Sequence, residues 1–499
     1  MNVFEVPWLE LSIGIPLLGS LWVAGIRNPV IALRWCLAFA AITLGCTLFV
    51  FVGQATGRSP TGASEWDILP RLFNARILEL DALSAPLLPL VALLHLLTVL
   101  TTVRTKFAFD SFAWMLRLEA VRLATFACKS PWVLIGLLLV GVGLTWLELV
   151  RRGKSTRVYA IHMGLFAVCL VGGWACLDPA LPVKSATLAS LLIFVAVLIR
   201  SGTVPVHVWV TELFEHASFG TALLFTAPLT GMYIAIRLVL PVAPSWILTA
   251  ISVFSLVTAS YGAGMAAVQQ QARRFFVFLF LSNASLVLVG MELHTSLSLT
   301  GSLFLWLSAA LSLSGLGLTI RALEARFGRL SLSRFSGLYD HSPALAVCFL
   351  VTGLGCVGFP GTLGFVGMEL LVEGAMGASP ATATAIVLTA AINGIAIMRA
   401  YFLLFSGGRH LSTLSLAITT PERCAAITLS VLILGGGLYP QAGTASLYRA
   451  AESALKDSAA HRLTSQANKE SAHTEPDQLR DSRMHLPSWM PGPTSRNGP

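Results

Sequence analysis

The 499-residue chain is 55% hydrophobic and only 11% charged, whereas roughly a quarter of the residues in an ordinary soluble domain are charged. Such a composition cannot cover a soluble protein of this length with polar side chains, so it argues against a soluble enzyme and predicts a chain that lies in the lipid bilayer. The formal net charge of +9 falls in short basic clusters between apolar runs, which is typical of membrane topology and not of a nucleic-acid-binding groove.

Apolar stretches of spanning length, about 17 to 25 residues, follow one another along the chain. They are residues 9–26, 30–53, 80–102, 110–128, 131–150, 157–177, 245–268, 273–293, 299–323, 384–405 and 423–442. Two further apolar segments, 186–240 and 342–378, are interrupted by Gly and Pro. Together they predict an all-α, polytopic membrane protein of roughly thirteen or fourteen transmembrane helices.

Basic residues concentrate in alternate loops between these stretches. They are Arg27 and Arg34 around the first loop, Arg104 and Lys106 in the third, and Arg151, Arg152, Lys154 and Arg157 around the fifth. The second loop, near 54–78, mixes both signs. Because basic loops stay in the cytoplasm, this pattern predicts a protein of the cell inner membrane with its N-terminus outside.

The first interrupted segment carries charge inside apolar sequence. Arg200 and His207 stand beside Gly202 and Pro205 in LLIFVAVLIRSGTVPVHVW. A cationic side chain at membrane depth costs at least about 2.5 kcal/mol, so it usually faces a cavity or a partner. A short cytoplasmic loop with ordinary charges explains the same residues equally well.

The second interrupted segment is rich in glycine, and Glu369 and Glu373 follow its G-F-P-G-T turn. Half-helices that meet at the bilayer midplane are a common way to place ion sites, although a loop with a helix cap is the alternative. Two further stretches carry charge. Glu119 lies three residues before Arg122, a spacing that permits a buried pair, and Arg273 begins an apolar helix, where cytoplasmic anchoring is the simpler explanation.

Motifs for soluble cofactor chemistry are absent from the sequence. It contains no G-x-G-x-x-G, Walker loop, H-E-x-x-H or C-x-x-C set, and most of its eight cysteines lie inside apolar runs. We therefore predict no catalytic, metal or cofactor site in this chain, and expect any electron transfer to occur in partner subunits.

Several segments together resemble the antiporter-like subunits of proton-pumping NADH:quinone oxidoreductase, respiratory complex I, and most closely its M-type subunit. ELDALSAPLLPL at 79–90 resembles the family's F-x-x-D-G-L-S-x-P-L, VPVHVW at 204–209 its V-P-L-H-T-W, and GFPGTLGFVGMEL at 358–370 its G-L-P-G-T-x-x-F-x-G-E-F. Residues 269–274, 398–407 and 437–440 resemble three further family motifs. The matches are collinear over residues 78–442.

The resemblance implies two inverted five-helix repeats, each with a broken helix, and a buried relay of Lys, Glu and His that carries protons. It implies N-terminal helices at 1–105 and a proton-translocating core at 106–445, and the change to polar composition after Leu447 predicts a polar, disordered tail at 446–499. Proton-path candidates are Glu119, Arg200, His207, Arg273 and Glu369. The expected partners are other membrane subunits and the bilayer, with no nucleic acid, and NADH, quinone, FMN and iron–sulfur clusters are expected in partner subunits.

The sequence departs from the family at the relay itself. Arg200 and Arg273 stand where the family has lysines, and apolar residues stand where it has acids or histidine. Those apolar positions are Leu139, Ala309 and Met368. Two alternatives therefore remain: an antiporter-like subunit of a cation/proton antiporter, membrane hydrogenase or inorganic-carbon uptake complex, and a structural subunit that does not conduct protons.

Overall fold

The computed structural model describes residues 6–57, 77–102, 112–177, 186–227, 229–291, 293, 295–408, 418–441 and 443–460. Throughout these ranges the chain is almost entirely helical, and the β-contacts are two isolated bridges, Leu78 with Cys128 and Gln271 with Ser331. The all-α class predicted from composition is confirmed.

The first half of the described chain contains ten α-helices and a π-helical turn. These are α1 (Trp8–Ala24), α2 (Pro29–Ala55), α3 (Ser84–Leu100), α4 (Phe112–Ala127), α5 (Pro131–Arg151), α6 (Arg157–Ala175), α7 (Ala186–Ser201), α8 (Val208–His216), α9 (Phe219–Thr226) and α10 (Thr230–Ile234), which continues into the π-helical Ala235–Val239.

The second half contains seven longer α-helices. These are α11 (Ser245–Val268), α12 (Ala272–Val289), α13 (Ser296–Phe327), α14 (Pro343–Val357), α15 (Leu363–Ala378), α16 (Pro380–Phe405) and α17 (Thr420–Leu438).

Helix boundaries follow from local sequence. Asn28 caps α2, because its side chain accepts the Val30 N–H at 3.0 Å and proline occupies the first helical position. Thr419 and Glu422 form a capping box at the start of α17. Such signals explain why the apolar stretches predicted from the sequence match the observed helices.

Nine segments among the described residues are long and apolar enough to span a membrane. If α1, α3, α4 and the two broken pairs, α7 with α8 and α14 with α15, are counted as further crossings, the total is fourteen. Both interruptions predicted from the sequence are present, since α7 ends at Ser201 and α14 ends at Val357.

A third interruption lies between α9 and α10. The helix stops at Thr226 and restarts at Thr230, and Leu229 adopts a left-handed conformation with φ of 48°. A leucine in this region is sterically unfavourable, so the surrounding packing holds it there.

Glycines allow several helices to pack backbone against backbone. A Cβ at Gly262 of α11 would lie 2.9 Å from the Phe278 carbonyl oxygen and 2.9 Å from the Ser282 amide nitrogen of α12. A Cβ at Gly367 of α15 would lie 2.7 Å from the Leu305 amide nitrogen of α13. Small residues at these crossings are how transmembrane helices gain close packing without a hydrophobic driving force.

The start of the predicted disordered tail differs from the expectation, because residues 443–460 are helical. Leu447, Ala450 and Ala451 of this stretch are buried, and the Ser458 hydroxyl donates to the Leu240 carbonyl at 2.7 Å. The apolar residues recur at i, i+3 and i+4, so a short amphipathic helix is hidden within a polar composition. The rest of the predicted tail, residues 461–499, lies outside the described residues.

Candidate functional site

The break between α7 and α8 keeps its backbone hydrogen-bonded. Gly202 ends α7 with a positive φ of 71°, and the Val204 N–H donates to the Thr258 hydroxyl of α11 at 2.9 Å. The Trp209 indole N–H donates to the Ile199 carbonyl at 2.8 Å. Irregular backbone at membrane depth is tolerated only where its polar groups find such partners inside the protein.

Arg200 is buried at the end of α7, with 6% of its surface exposed. Its Nη2 donates to the Phe225 carbonyl at 3.2 Å, and its guanidinium lies 4.3 Å from the Phe225 ring and 5.8 Å from the Trp209 ring. Within the described part of the chain, no carboxylate forms an ion pair with Arg200. Its contacts are therefore a helix C-terminal carbonyl and aromatic faces.

Arg122 approaches the same helix end from α4. Its Nη1 donates to the Leu224 carbonyl, and its guanidinium lies 5.4 Å from the Phe225 ring. Two buried cations therefore flank Phe225, at the C-terminal end of α9 where the helix dipole is negative.

Glu119 is the buried carboxylate expected near Arg122. It is 1% exposed, and its Oε1 has no hydrogen-bond partner in the structure. Among the described residues no ion pair joins Glu119 to Arg122. The i+3 spacing permits such a pair, but Arg122 is directed towards α9 instead.

His207 lies at the start of α8, against aromatic side chains. Its ring centre is 5.5 Å from that of Tyr261 and 6.5 Å from that of Phe278. These contacts place the imidazole between α11 and α12.

Arg273 is engaged at the mouth of α12. Its Nε is 2.7 Å from the Glu324 carboxylate of α13, and its Nη1 donates to the Phe214 carbonyl at 3.4 Å. It lines a cleft of about 240 Å³ together with Glu215 and Arg274. The ion pair joins α12 to α13, and the hydrogen bond joins α12 to α8, at one end of the bundle.

Glu369 lies on the outer face of α15, where its side chain is exposed, as is that of Glu373. Met368, the preceding residue, is half-buried. One position along a helix rotates a side chain by about 100°, so a neighbour of an inward position points elsewhere. Ala309 is buried and Leu139 half-buried, so neither of these apolar positions supplies a group that could carry a proton.

Arg200 and Arg122 therefore contact the same residue, Phe225. The other candidate residues have separate surroundings, and they are Glu119, His207, Arg273 and Glu369.

A polar cluster that the sequence analysis did not single out lies where α3 begins. The Asp81 carboxylate is 2.6 Å from the Arg237 guanidinium and accepts the Ser84 N–H at 2.8 Å. Arg237 Nη2 donates to the Ser84 hydroxyl at 2.9 Å, and the nearby Tyr233 hydroxyl donates to the Phe126 carbonyl at 3.0 Å. The signal for this cluster was the E-L-D-A-L-S motif itself, whose aspartate accepts the N–H of the first residue of α3 and pairs with Arg237 of the π-helical turn.

Burial alone would raise the pKa of Asp81, but hydrogen bonds and charge from Arg237 and a hydrogen bond from the Ser84 N–H lower this pKa below its ordinary value. Asp81 is therefore ionised throughout the neutral range and serves as a structural anion.

Glu148 is the second unexpected feature. It is 8% exposed, lies 3.0 Å from Arg152 and accepts the Thr221 hydroxyl at 2.8 Å. Although it stands near the end of α5, its carboxylate points into the bundle towards α9.

No group of three or more His, Cys, Asp or Glu side chains that could hold a metal ion occurs in the described ranges.

Broken helices, one of them with a buried cation beside the break, are an arrangement found in many polytopic membrane transporters. Residues 176–393 match the family described as the NADH:quinone oxidoreductase/Mrp antiporter transmembrane family. The matched residues hold the first break and Arg200, and they make up less than half of the chain.

Curated relatives agree with this match. A Synechococcus protein named NAD(P)H-quinone oxidoreductase chain 4 1 is 26% identical over 484 residues, 89% of this chain and 91% of the relative. NADH-quinone oxidoreductase subunit M of Rickettsia conorii is 26% identical over 188 residues, which are 36% of this chain and 38% of the relative. The match to the Rickettsia protein therefore spans well under half the length of that relative.

Solved structures share the fold across nearly the whole chain. A chain of the Mrp complex from a Dietzia species superposes with a TM-score of 0.79 at 20% identity, covering 93% of this chain and 99% of that one. A chain of respiratory complex I from Thermus thermophilus superposes with a TM-score of 0.77 at 23% identity, covering 90% and 99%. The helical frame is thus common to both kinds of complex, and fold alone does not separate them.

Proposed function

We propose that this chain is a membrane subunit of a complex I-like NADH:quinone oxidoreductase, involved in proton translocation coupled to electron transport and carrying no redox centre of its own. The observation that carries this proposal is the collinear match over 484 residues to a relative named as chain 4 of an NAD(P)H-quinone oxidoreductase. A subunit of an Mrp-type antiporter is the second candidate, favoured by the TM-score of 0.79 to a chain of an Mrp complex.

In this proposal the cofactors belong to partner subunits. NADH, FMN, iron–sulfur clusters and quinone would bind elsewhere in the assembly, and this chain would contact other membrane subunits and lipid. The support is chemical, since membrane-embedded residues of the kind found here can move protons but cannot carry electrons.

The proposed location is the cytoplasmic membrane with the N-terminus outside. Contacts between helix ends support this orientation. One end of the bundle holds the contacts of Arg273 with Glu324 and Phe214. If successive helices cross the membrane in alternating directions, the contacts of Arg237 with Asp81 and Ser84 lie on the opposite side. The first of these sides also carries the exposed basic residues of the loop after α5, as a cytoplasmic side should.

The proposed core at 106–445 contains the whole family match at 176–393. Residues 1–105 would add the N-terminal helices that pack beside it.

The proton path is proposed to be interrupted at Arg200. A relay needs groups that gain and lose protons at working pH, and a guanidinium keeps its proton. The specific observation that favours a scaffold with weak conduction is the pair of buried guanidiniums, Arg122 and Arg200, both of which contact Phe225. Glu119, His207, Arg273 and Glu369 remain candidates for proton transfer along other routes.

Purification of the native assembly tests the proposed membership. The full chain is tagged in its own host, extracted in mild detergent, and the co-purifying subunits are identified by mass spectrometry together with NADH:quinone activity. We expect complex I-type membrane subunits and NADH oxidation. Co-purification with antiporter subunits and no NADH activity would overturn the first proposal in favour of the second.

A further inference from the structure

A small cavity of about 20 Å³ lies beside Arg200, where the end of α7 meets the interruption between α9 and α10. Its polar lining residues are Arg200, Ser201, Thr226 and Thr230. A cavity of this size holds one water-sized guest and excludes polyatomic ions such as phosphate or sulfate.

The charge around this cavity is unbalanced. Arg200 lines it, and the Arg122 guanidinium also lies close by, 5.4 Å from the centre of the Phe225 ring that Arg200 contacts. Along the described ranges neither guanidinium forms an ion pair with a carboxylate. Burying two cations with only carbonyls and aromatic faces as partners is costly, and a counter-ion would remove most of that cost.

Two hydroxyl groups in the lining also lack partners. Ser201 Oγ and Thr230 Oγ1 are inaccessible to solvent and form no hydrogen bond, and Thr230 is only 5% exposed. Buried hydroxyls are nearly always hydrogen-bonded, so each unsatisfied group calls for an explanation. Both hydroxyls can donate, which is what an anion requires.

We propose that this cavity binds a single monovalent anion of about the size of chloride, held by the Arg200 guanidinium and the hydroxyls of Ser201 and Thr230. A water molecule would satisfy the hydroxyls but would add no negative charge, whereas a halide accepts from the hydroxyls and balances the charge of Arg200. The site makes Arg200 a fixed anion receptor at the position where the sequence lacks the family lysine. This inference does not depend on which assembly the chain joins.

Thermal unfolding of the purified full chain in detergent tests the proposal. Sodium chloride replaces sodium gluconate at constant ionic strength, because gluconate is too large for the cavity. We expect the midpoint temperature to rise with chloride and to saturate, because a ligand that binds only the folded state stabilises it. A midpoint that does not distinguish chloride from gluconate would overturn the proposal.

Variants locate the effect. Arg200→Met should abolish the chloride dependence. Thr230→Val should raise the chloride concentration at half-saturation about tenfold, as expected when one hydrogen bond to an ion is lost. Arg274→Met removes an exposed cation at the start of α12 that does not line the cavity, so this variant should retain the full chloride dependence. An unchanged chloride response in both Arg200→Met and Thr230→Val would overturn the proposal. If Arg200→Met does not fold, Thr230→Val with the Arg274→Met control decides alone.

Discussion

At the residue scale, the central feature is a permanent cation buried beside the first helix break. Arg200 is nearly fully buried and is fixed by the Phe225 carbonyl and two aromatic rings. A lysine at such a position can be neutralised by burial and neighbouring charge, but an arginine cannot. The choice of arginine over lysine therefore decides whether this position can release a proton.

Proton flux tests this difference. In proteoliposomes that contain the full chain, we expect little flux under an imposed pH gradient and several-fold more in Arg200→Lys, because an ammonium group can release its proton. The flux is followed with an internal pH-sensitive dye. Arg274→Lys serves as the control and should match the wild type. Strong wild-type flux that Arg200→Ala abolishes, while Arg274→Ala leaves it intact, would contradict this explanation.

A second test concerns Asp81. Its ion pair with Arg237 and its hydrogen bond from Ser84 connect α3 to the π-helical turn, so Asp81→Asn should lower the free energy of unfolding by about 1–3 kcal/mol at pH 7. The exposed pair of Glu79 with Lys129 gives the control, and Glu79→Gln should change stability by less than about 1 kcal/mol.

The pH dependence of this effect has a definite sign. The pKa of Asp81 is lowered on folding, so its stabilisation is present above the unfolded-state pKa of about 3.9 and is lost as the pH falls through the lower folded-state value. Thermal unfolding at a series of pH values should show wild type and Asp81→Asn converging only below about pH 4. Convergence already at pH 6 would show that the ion pair is not the source of the difference.

At the element scale, the helices were predictable from sequence and their interruptions only in part. Spanning stretches were clear because each needs about twenty apolar residues and most follow Pro, Asn, Ser or Thr. Gly202 and the G-F-P-G-T turn indicated two of the breaks in the sequence. The third, at Leu229, follows Pro228, a proline inside an apolar stretch, but the left-handed conformation of Leu229 itself is imposed by tertiary packing.

The helix at 443–460 was missed for a different reason. Its apolar face is narrow, and overall composition hides a periodicity that only a residue-by-residue reading detects. Likewise, spacing alone suggested that Glu119 and Arg122 pair, but the direction of the Arg122 side chain depends on the carbonyl that α9 offers.

Glycine contacts provide a prediction at this scale. Gly262 and Gly264 both lie in α11, but only a Cβ at Gly262 meets backbone atoms of α12, whereas nothing lies within 4 Å at Gly264. Gly262→Ala should therefore destabilise the fold by about 1–3 kcal/mol. Gly264→Ala should be neutral or stabilising by up to about 1 kcal/mol. Equal thermal shifts in the two variants would refute the close α11–α12 packing.

At the scale of the whole molecule, the charges of the loops predict how the chain crosses the membrane. Lys129 lies between α4 and α5, and Lys154 lies between α5 and α6, so the two must face opposite sides. In a Cys424→Ser background, which removes the exposed native thiol, Lys154→Cys should react with an impermeant maleimide only in inverted vesicles. Lys129→Cys should react in intact cells. The reverse pattern would place the N-terminus inside.

The whole-molecule comparison also shows what sequence could not supply. Motifs at 79–90, 204–209 and 358–370 were sufficient to indicate the fold, since each marks a helix start or a break. They could not indicate that Glu369 points outward, because a single residue of register decides the face of a helix. They also could not indicate that Arg200 and Arg122 meet, because these residues come from helices far apart in sequence.

A cryo-EM structure of the native assembly tests the central claim most directly. We expect this chain beside other membrane subunits of a complex that contains an NADH-oxidising arm, with Arg200 sealed from any continuous water path. A complex without that arm, or an unbroken file of water running past Arg200 from one membrane face to the other, would contradict the account.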